Sequence, residues 1–264
     1  MSDELNQRVA FAKEAVASQT PFFVERFGKV ESRWKYDGSR VTEADLAISN
    51  AFQSAIEARF PKDAYLSEEL DSGTGPQCVS ARFAWLVDPI DGTNNFARGI
   101  PACSISLALL EDGVPVYGAI YDHMSRSLFH GGPQFGAWVD DREAGFSDAT
   151  PSGQSIVGCQ HCGMESSAPD DDALQRRFKI RNLGSSAIQL AYATAGWTDG
   201  VIAHKVNTWD IAAGVAMLEA AGGRIRYFGS NPFPIREFDV CKPSFGYLAG
   251  PPRMVEAMRV ATGR

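Results

Sequence analysis

A mixed α/β (α+β) fold is predicted by three observations along the chain. Apolar residues recur at helical spacing near the N-terminus, strand-like alternation flanks a Glu-Asp-Gly turn at 111–113, and shorter strands alternate with helices from about position 151. A chain of 264 residues can bury a large core as one domain or as two joined halves. We expect two subdomains, 1–150 and 151–264, sharing one continuous interface.

The first helix is expected over 4–26, bent at Pro21. A turn follows at Asp37-Gly38-Ser39, whose residues suit tight backbone bends. Thr42 then offers a helix cap with Asp45 three residues on. Ile48, Phe52 and Ile56 give that second helix an apolar stripe, and Pro61 ends it. The run 83–87 reads as a strand delivering Asp88 at its end, where Pro89 stops ladder pairing. Alternation at Ile105, Leu107 and Leu109, the turn, and then 114–121 make a β-hairpin. Two further short strands are expected near Leu128 and over 137–139. In the second half, 185–195 and 211–221 read as helices, the latter closed by Gly222-Gly223. The segments 156–158, 200–203, 224–227 and 246–249 read as strands. The acidic Asp170-Asp171-Asp172 reads as a solvated loop or a helix start.

Composition narrows the function classes. Hydrophobic residues make up 44% and charged residues 22%, ordinary for a globular chain. The formal net charge of -7 comes with no basic stripe, which argues against a nucleic acid duplex as partner. An anionic ligand would therefore need a cation or oriented amides. The N-terminus lacks a basic, then apolar, signal pattern. No apolar run nears the roughly 20 residues of a membrane helix. Five scattered cysteines do not make a secreted disulfide framework. Cys159-Gln160-His161-Cys162 has the spacing of half a zinc site, with no second pair to complete it. These features together point to the cytoplasm.

The most informative segment is Asp88-Pro89-Ile90-Asp91-Gly92-Thr93-Asn94-Asn95-Phe96. It can bring two carboxylates and the Ile90 carbonyl into one small volume, with the Gly92 and Thr93 amides at a short helix start beside them. Carboxylates so close repel, and one would stay protonated unless a divalent cation lay between them. Mg²⁺ favours such hard oxygen ligands. The same residues also read as a strand-end pair that caps a helix. Glu68, in Ser67-Glu68-Glu69, reads equally as a polar strand end. Asp210, in Trp209-Asp210, reads equally as a helix N-cap, and Asp45 as a first-turn acid.

Taken together, and in order from Lys35 to Gly223, these segments resemble the inositol monophosphatase family of lithium-sensitive, magnesium-dependent phosphatases. Asp88-Pro89-Ile90-Asp91-Gly92-Thr93 is similar to its first signature. Trp209-Asp210-Ile211-Ala212-Ala213-Gly214 with Glu219-Ala220-Ala221-Gly222-Gly223 is similar to its second. The resemblance implies a layered α-β-α-β-α sandwich and a homodimer acting on a small phosphomonoester with two or three Mg²⁺ ions. It implies that Glu68, Asp88 and the Ile90 carbonyl hold one ion, Asp88, Asp91 and Asp210 a second, and Glu68 helps place a third. It implies that Thr93 and Asp45 orient and deprotonate the attacking water, with no phosphoenzyme. Gly92, Thr93 and Asn94 would face the phosphate, and Gly184, Ser185, Ser186 and Asp210 the rest of the substrate. One position departs from the pattern. Where inositol phosphatases commonly carry an acid, seven residues before the metal-binding Asp, this chain has Ala203, followed by His204 and Lys205. Histidinol phosphate, fructose 1,6-bisphosphate and 3′-phosphorylated adenosine nucleotides are therefore alternative substrates. A non-catalytic regulator keeping the fold is the alternative class.

Overall fold

The structure is a computed structural model that describes residues 3–35, 40–70, 75–147, 150–160, 170–242 and 244–263. The turn expected at 37–39 and the residues His161 and Cys162 lie outside them. Helix α1 (Asp3–Arg26), with Pro21 inside it, is followed by strands β1 (Ser32–Trp34) and β2 (Arg40–Thr42) and by helix α2 (Glu43–Arg59). Next come β3 (Ala64–Ser67), β4 (Gln77–Cys78), β5 (Phe83–Asp91) and the short α3 (Thr93–Arg98). The meander β6 (Ser104–Glu111), β7 (Val114–Asp122), β8 (Ser127–Gly132), β9 (Gly136–Val139) and β10 (Arg142–Glu143) completes the first half. The second half runs β11 (Ile156–Gln160), α4 (Asp170–Arg177), β12 (Lys179–Arg181), α5 (Ser186–Thr194), β13 (Gly200–Val206) and α6 (Thr208–Ala220). It ends with β14 (Arg224–Tyr227), β15 (Glu237–Phe238), β16 (Phe245–Gly250) and α7 (Pro252–Thr262).

Seven strands form one sheet in the order β10-β9-β8-β7-β6-β5-β3, antiparallel except for the β3–β5 pair. Five form a second, β12-β11-β13-β16-β14, with β11 parallel to both of its neighbours. Helices α5 and α6 lie between the sheets, α1 and α2 cover the outer face of the first, and α4 and α7 that of the second. The result is an α-β-α-β-α sandwich. The middle layer comes wholly from residues after position 150, and it joins them to the first sheet, since α6 packs on β6 and β7 as well as on α5. Buried on nearly every side, α6 is apolar almost all round, as a central helix must be.

Strand β5 shows how this layering sets up the site. Ala84 and Leu86 point into the core shared with α5 and α6, while Phe83, Trp85 and Val87 join the core under α1 and α2. Both faces are buried, which accounts for the continuous apolar run. The strand does not stop at Asp88 as the sequence suggested. It continues through Pro89 to Asp91 with a break in register, Asp88 pairing with Ser106 and Asp91 with Ser104. One extra residue on β5 reverses the alternation. Ile90 accordingly packs under α1 and α2, and Asp91 is returned to the side Asp88 occupies. Three residues apart on a regular strand, the two acids would face opposite ways.

Candidate active site

Asp88, Asp91 and Asp210 each place a carboxylate oxygen within 4.8 Å of the other two, the one such acidic group among the described residues. Asp88 and Asp91 are buried and Asp210 is partly so. Each acid is carried in by a specific local device.

Asp210 reaches the cluster through a capping box. The N-cap of α6 is Asn207 rather than Asp210, because the helix begins three residues earlier than its apolar pattern indicated. Asp210 is the third helical residue, and its Oδ2 accepts the Asn207 backbone N–H at 2.7 Å. Asp91 is tied to the start of α5. Its Oδ2 accepts the Ser185 hydroxyl and the Ala187 N–H, the latter at 2.6 Å. A carboxylate there suits the positive end of a helix. Asp45 repeats the α6 pattern on α2, its Oδ2 accepting the Thr42 N–H at 2.8 Å while Thr42 caps the helix. In each case one oxygen is committed to a helix start and the other remains for the centre of the site.

Asp88 is different. Its Oδ1 is buried without any hydrogen-bond donor, although the residue is only 1% exposed. A buried, unpaired carboxylate oxygen is costly unless a cation meets it. Burial, then the charges of Glu68, Asp91 and Asp210, hold the Asp88 carboxyl well above the ordinary range. Asp210 is raised in the same direction by burial, Asp91 and Glu68. Asp91 is pushed up to about 6 by burial, against the lowering effect of its Ser185 and Ala187 donors. The donor set is all hard oxygen and mutually repelling, which fits a small divalent cation such as Mg²⁺.

Beside this group, Thr93 Oγ1 lies 2.9 Å from the Ile90 carbonyl and 3.2 Å from Asp45 Oδ1. Its single proton serves one of these acceptors at a time. Asp45 is 1% exposed, and burial raises its pKa to about 7 against the lowering effect of Thr42. Gly92, between Asp91 and Thr93, adopts φ 85°, and a Cβ there would lie 3.0 Å from the Ala102 carbonyl oxygen. Only glycine makes this turn without strain. Asn94 is exposed on the six-residue α3, too short a helix to add much field of its own.

Glu68 follows β3, its N–H bonded to the Val87 carbonyl at 3.1 Å, so it sits next to Asp88 across the parallel pair. Its carboxylate accepts the Lys35 ammonium at 2.9 Å, and Glu69 accepts the same ammonium at 2.7 Å. Burial pulls the Lys35 pKa down, but the two carboxylates outweigh it and hold the ammonium above its ordinary value. Ser185 and Ser186 are buried, and Ser185 spends its hydroxyl proton on Asp91 while accepting the Ile188 N–H as the α5 N-cap. Gly184 holds φ 76° next to the Asn95 amide. Sequence reasoning assigned Asn95 no task. Its Nδ2 donates to the Ala102 and Leu183 carbonyls, both at 2.8 Å, pinning the Gly92 turn to the segment that starts α5. An amide side chain three residues after a turn glycine was the available signal. Ala203 is buried on β13 between its register partners Gln160 and Tyr247. The Tyr247 hydroxyl is buried with no partner. Cys159, buried on β11, is disulfide-bonded, and Cys78 and Cys103 are free thiols.

Comparison with known proteins gives a consistent result. The sequence profile described as "Inositol monophosphatase family" matches residues 4–261. An inositol-1-monophosphatase of Synechocystis sp. is 29% identical over 88% of this chain and 83% of its own length. A fructose-1,6-bisphosphatase/inositol-1-monophosphatase of Thermotoga maritima is 30% identical over 78% of both. Among solved structures, the extragenic suppressor protein suhB from Bartonella henselae superposes with a TM-score of 0.81 at 26% identity, covering 100% of this chain and 99% of that one.

Proposed function

The chain belongs to the inositol monophosphatase family, and from that premise we propose that it is a magnesium-dependent phosphomonoester hydrolase of the inositol-1-phosphate type, in which water attacks phosphorus in line. The observation that carries this reading is the unpaired, buried Asp88 oxygen between Asp91 and Asp210. Asp88, Asp91 and Asp210, with Glu68 and the Ile90 carbonyl, would hold two or three Mg²⁺ ions. Bound there, the cations supply charge neutralisation for the phosphoryl oxygens and lower the pKa of water.

This chain's own residues do the rest. Asp45 Oδ1, beside Thr93 Oγ1, is the carboxylate oxygen placed to receive a proton. Thr93 Oγ1 would accept a proton from the attacking water and pass its own to Asp45 Oδ1, 3.2 Å away. The Gly92 and Thr93 amides lie next to Asp91 and would orient the phosphate. The reading of Gly184, Ser185 and Ser186 as the wall facing the rest of the substrate is supported by the bonds of Ser185 and Ala187 to Asp91 and by the Gly184 carbonyl beside Gly92. Ala203 offers no acceptor for a substrate hydroxyl, and losing one such bond costs about 1–3 kcal/mol. Broad use of phosphomonoesters follows, and the dual name of the Thermotoga maritima relative supports that breadth. A purely regulatory role is disfavoured, because a binder has no chemical need for mutually repelling buried acids.

A phosphate-release screen across inositol, sugar, histidinol and adenosine phosphomonoesters tests the reading. Release should require Mg²⁺ and fall with Li⁺; release from none of them would refute it. Thr93→Ala should lower kcat about 100-fold while Mg²⁺ affinity, followed by calorimetry, changes little. The reverse pattern would remove Thr93 from the proton path.

A further inference from the structure

Helix starts steady Asp45, Asp91 and Asp210, but Glu68 is met by a charge brought in from elsewhere in the chain. Lys35 directly follows β1 and places its ammonium between two carboxylates, 2.9 Å from Glu68 Oε1 and 2.7 Å from Glu69 Oε1. The three side chains are shielded, with relative exposures of 17% for Lys35, 17% for Glu68 and 5% for Glu69. Salt screens such a group far less than one in open water. A lysine ordinarily titrates at about 10.4, so this side chain is a cation at neutral pH. The acids are fixed at the end of β3, where the Glu69 N–H donates to the buried Ser67 hydroxyl at 3.2 Å.

The ammonium is held in place from behind as well. Strand β1 pairs antiparallel with β2, Trp34 opposite Arg40, and the Arg40 guanidinium lies 4.0 Å from the Trp34 ring centroid. Strand β2 ends at Thr42, the residue that caps α2 and bonds Asp45. Lys35 is therefore a tethered cation whose local concentration does not fall on dilution. An ammonium and a dication on the two oxygens of one carboxylate repel each other, so Lys35 disfavours any ion that uses Glu68 unless it moves aside. Glu69 allows that movement without leaving the ammonium unpaired, because it already holds the same group.

We propose that Lys35 is a built-in competitor for the cation at Glu68, an ammonium that yields Glu68 and keeps Glu69 when that cation binds. The assignment rests on the phosphatase reading above and names the residue that sets the affinity of its ions. Affinity for a site that is open only part of the time falls in proportion to the open fraction. With Glu68 released about one-tenth of the time, an ion that uses it binds about tenfold more weakly than it otherwise would. An ion held by Asp88, Asp91 and Asp210 is affected less.

A double-mutant cycle on the full-length protein, read by Mg²⁺ calorimetry, tests this role. Lys35→Met should tighten the weakest Mg²⁺ binding step about tenfold. The tightening should vanish when Glu68→Gln is also present, because the two side chains act through one contact. In Mg²⁺-free buffer the Lys35→Met protein should melt about 5 °C below the parent, since two shielded carboxylates lose their partner. Saturating Mg²⁺ should close part of that gap. Lys35→Gln replaces Lys35→Met in the cycle should the methionine variant not fold. Unchanged or weaker Mg²⁺ binding in the variant would overturn the proposal. So would tightening that persists without Glu68, which marks a change of overall charge alone. The expected cycle with no phosphomonoester hydrolysed by the parent would uphold the role of Lys35 and overturn the phosphatase reading. A parent that binds no Mg²⁺ would overturn both.

Discussion

Replacing Asp88 with Asn is expected to abolish Mg²⁺-dependent turnover, by at least about 10³-fold or some 4 kcal/mol, while leaving the metal-free protein as stable as the parent or more so. The two effects share one cause. Asp88 Oδ1 is buried without a donor, and burial together with Glu68, Asp91 and Asp210 disfavours its charged form. An amide removes that charge and can donate a hydrogen bond to a neighbouring carboxylate, a gain of about 1 kcal/mol. The same change deletes the carboxylate that would bridge two cations. Thermal unfolding with and without Mg²⁺, alongside turnover, separates these outcomes. A variant that keeps turnover, or loses it only by unfolding, would contradict the assignment.

The second large effect is on stability as a function of pH. Burial raises Asp91 to about 6 and Asp45 to about 7, against an ordinary value of 3.8. Between about pH 4 and 7 the native protein therefore binds more protons than the unfolded chain, and metal-free stability falls as pH rises through that window. A tenfold difference in proton affinity between the folded and unfolded chain corresponds to about 1.4 kcal/mol, so the loss is on the order of several kcal/mol. Cations bind the ionised acids, so stabilisation by Mg²⁺ runs the other way. It should be small below pH 5 and reach about 5–10 °C in Tm near pH 8 at a hundredfold excess over Kd. Parallel curves with and without Mg²⁺ across this range would show that the acids do not titrate against a metal.

These expectations could be framed because much of the site is legible in the chain. The apolar run before Asp88, the Thr42 cap with Asp45 and the Glu-Asp-Gly hairpin follow local rules of period and turn chemistry, and they appear in the structure as β5, the α2 capping box and β6–β7. Capping and metal binding look like competing explanations for Asp45 and Asp210 in the sequence. The geometry shows that one carboxylate can serve both, because each gives one oxygen to its helix start and leaves the other.

What was not legible depends on contacts distant in sequence. The reversal of alternation at Pro89 is set by pairing with β6, so the chain alone suggests a strand ending at Asp88. The bond from Ser185 to Asp91 spans 94 positions, and no local pattern announces it. Helix α7 is hidden because Pro251-Pro252 reads as a breaker, although Pro at the first helical position is favourable. The short strands β4, β12 and β15 carry too few residues to show a period.

The central claim is that Asp88, Asp91 and Asp210 converge in order to hold a divalent cation. Anomalous diffraction from crystals of the wild-type protein grown with Mn²⁺ in place of Mg²⁺ tests it most directly. The account predicts at least one strong peak bounded by carboxylate oxygens of all three residues, with Asp88 shared if two peaks appear. A map with no peak there, or with Mn²⁺ held elsewhere while the three acids keep their positions, would contradict it.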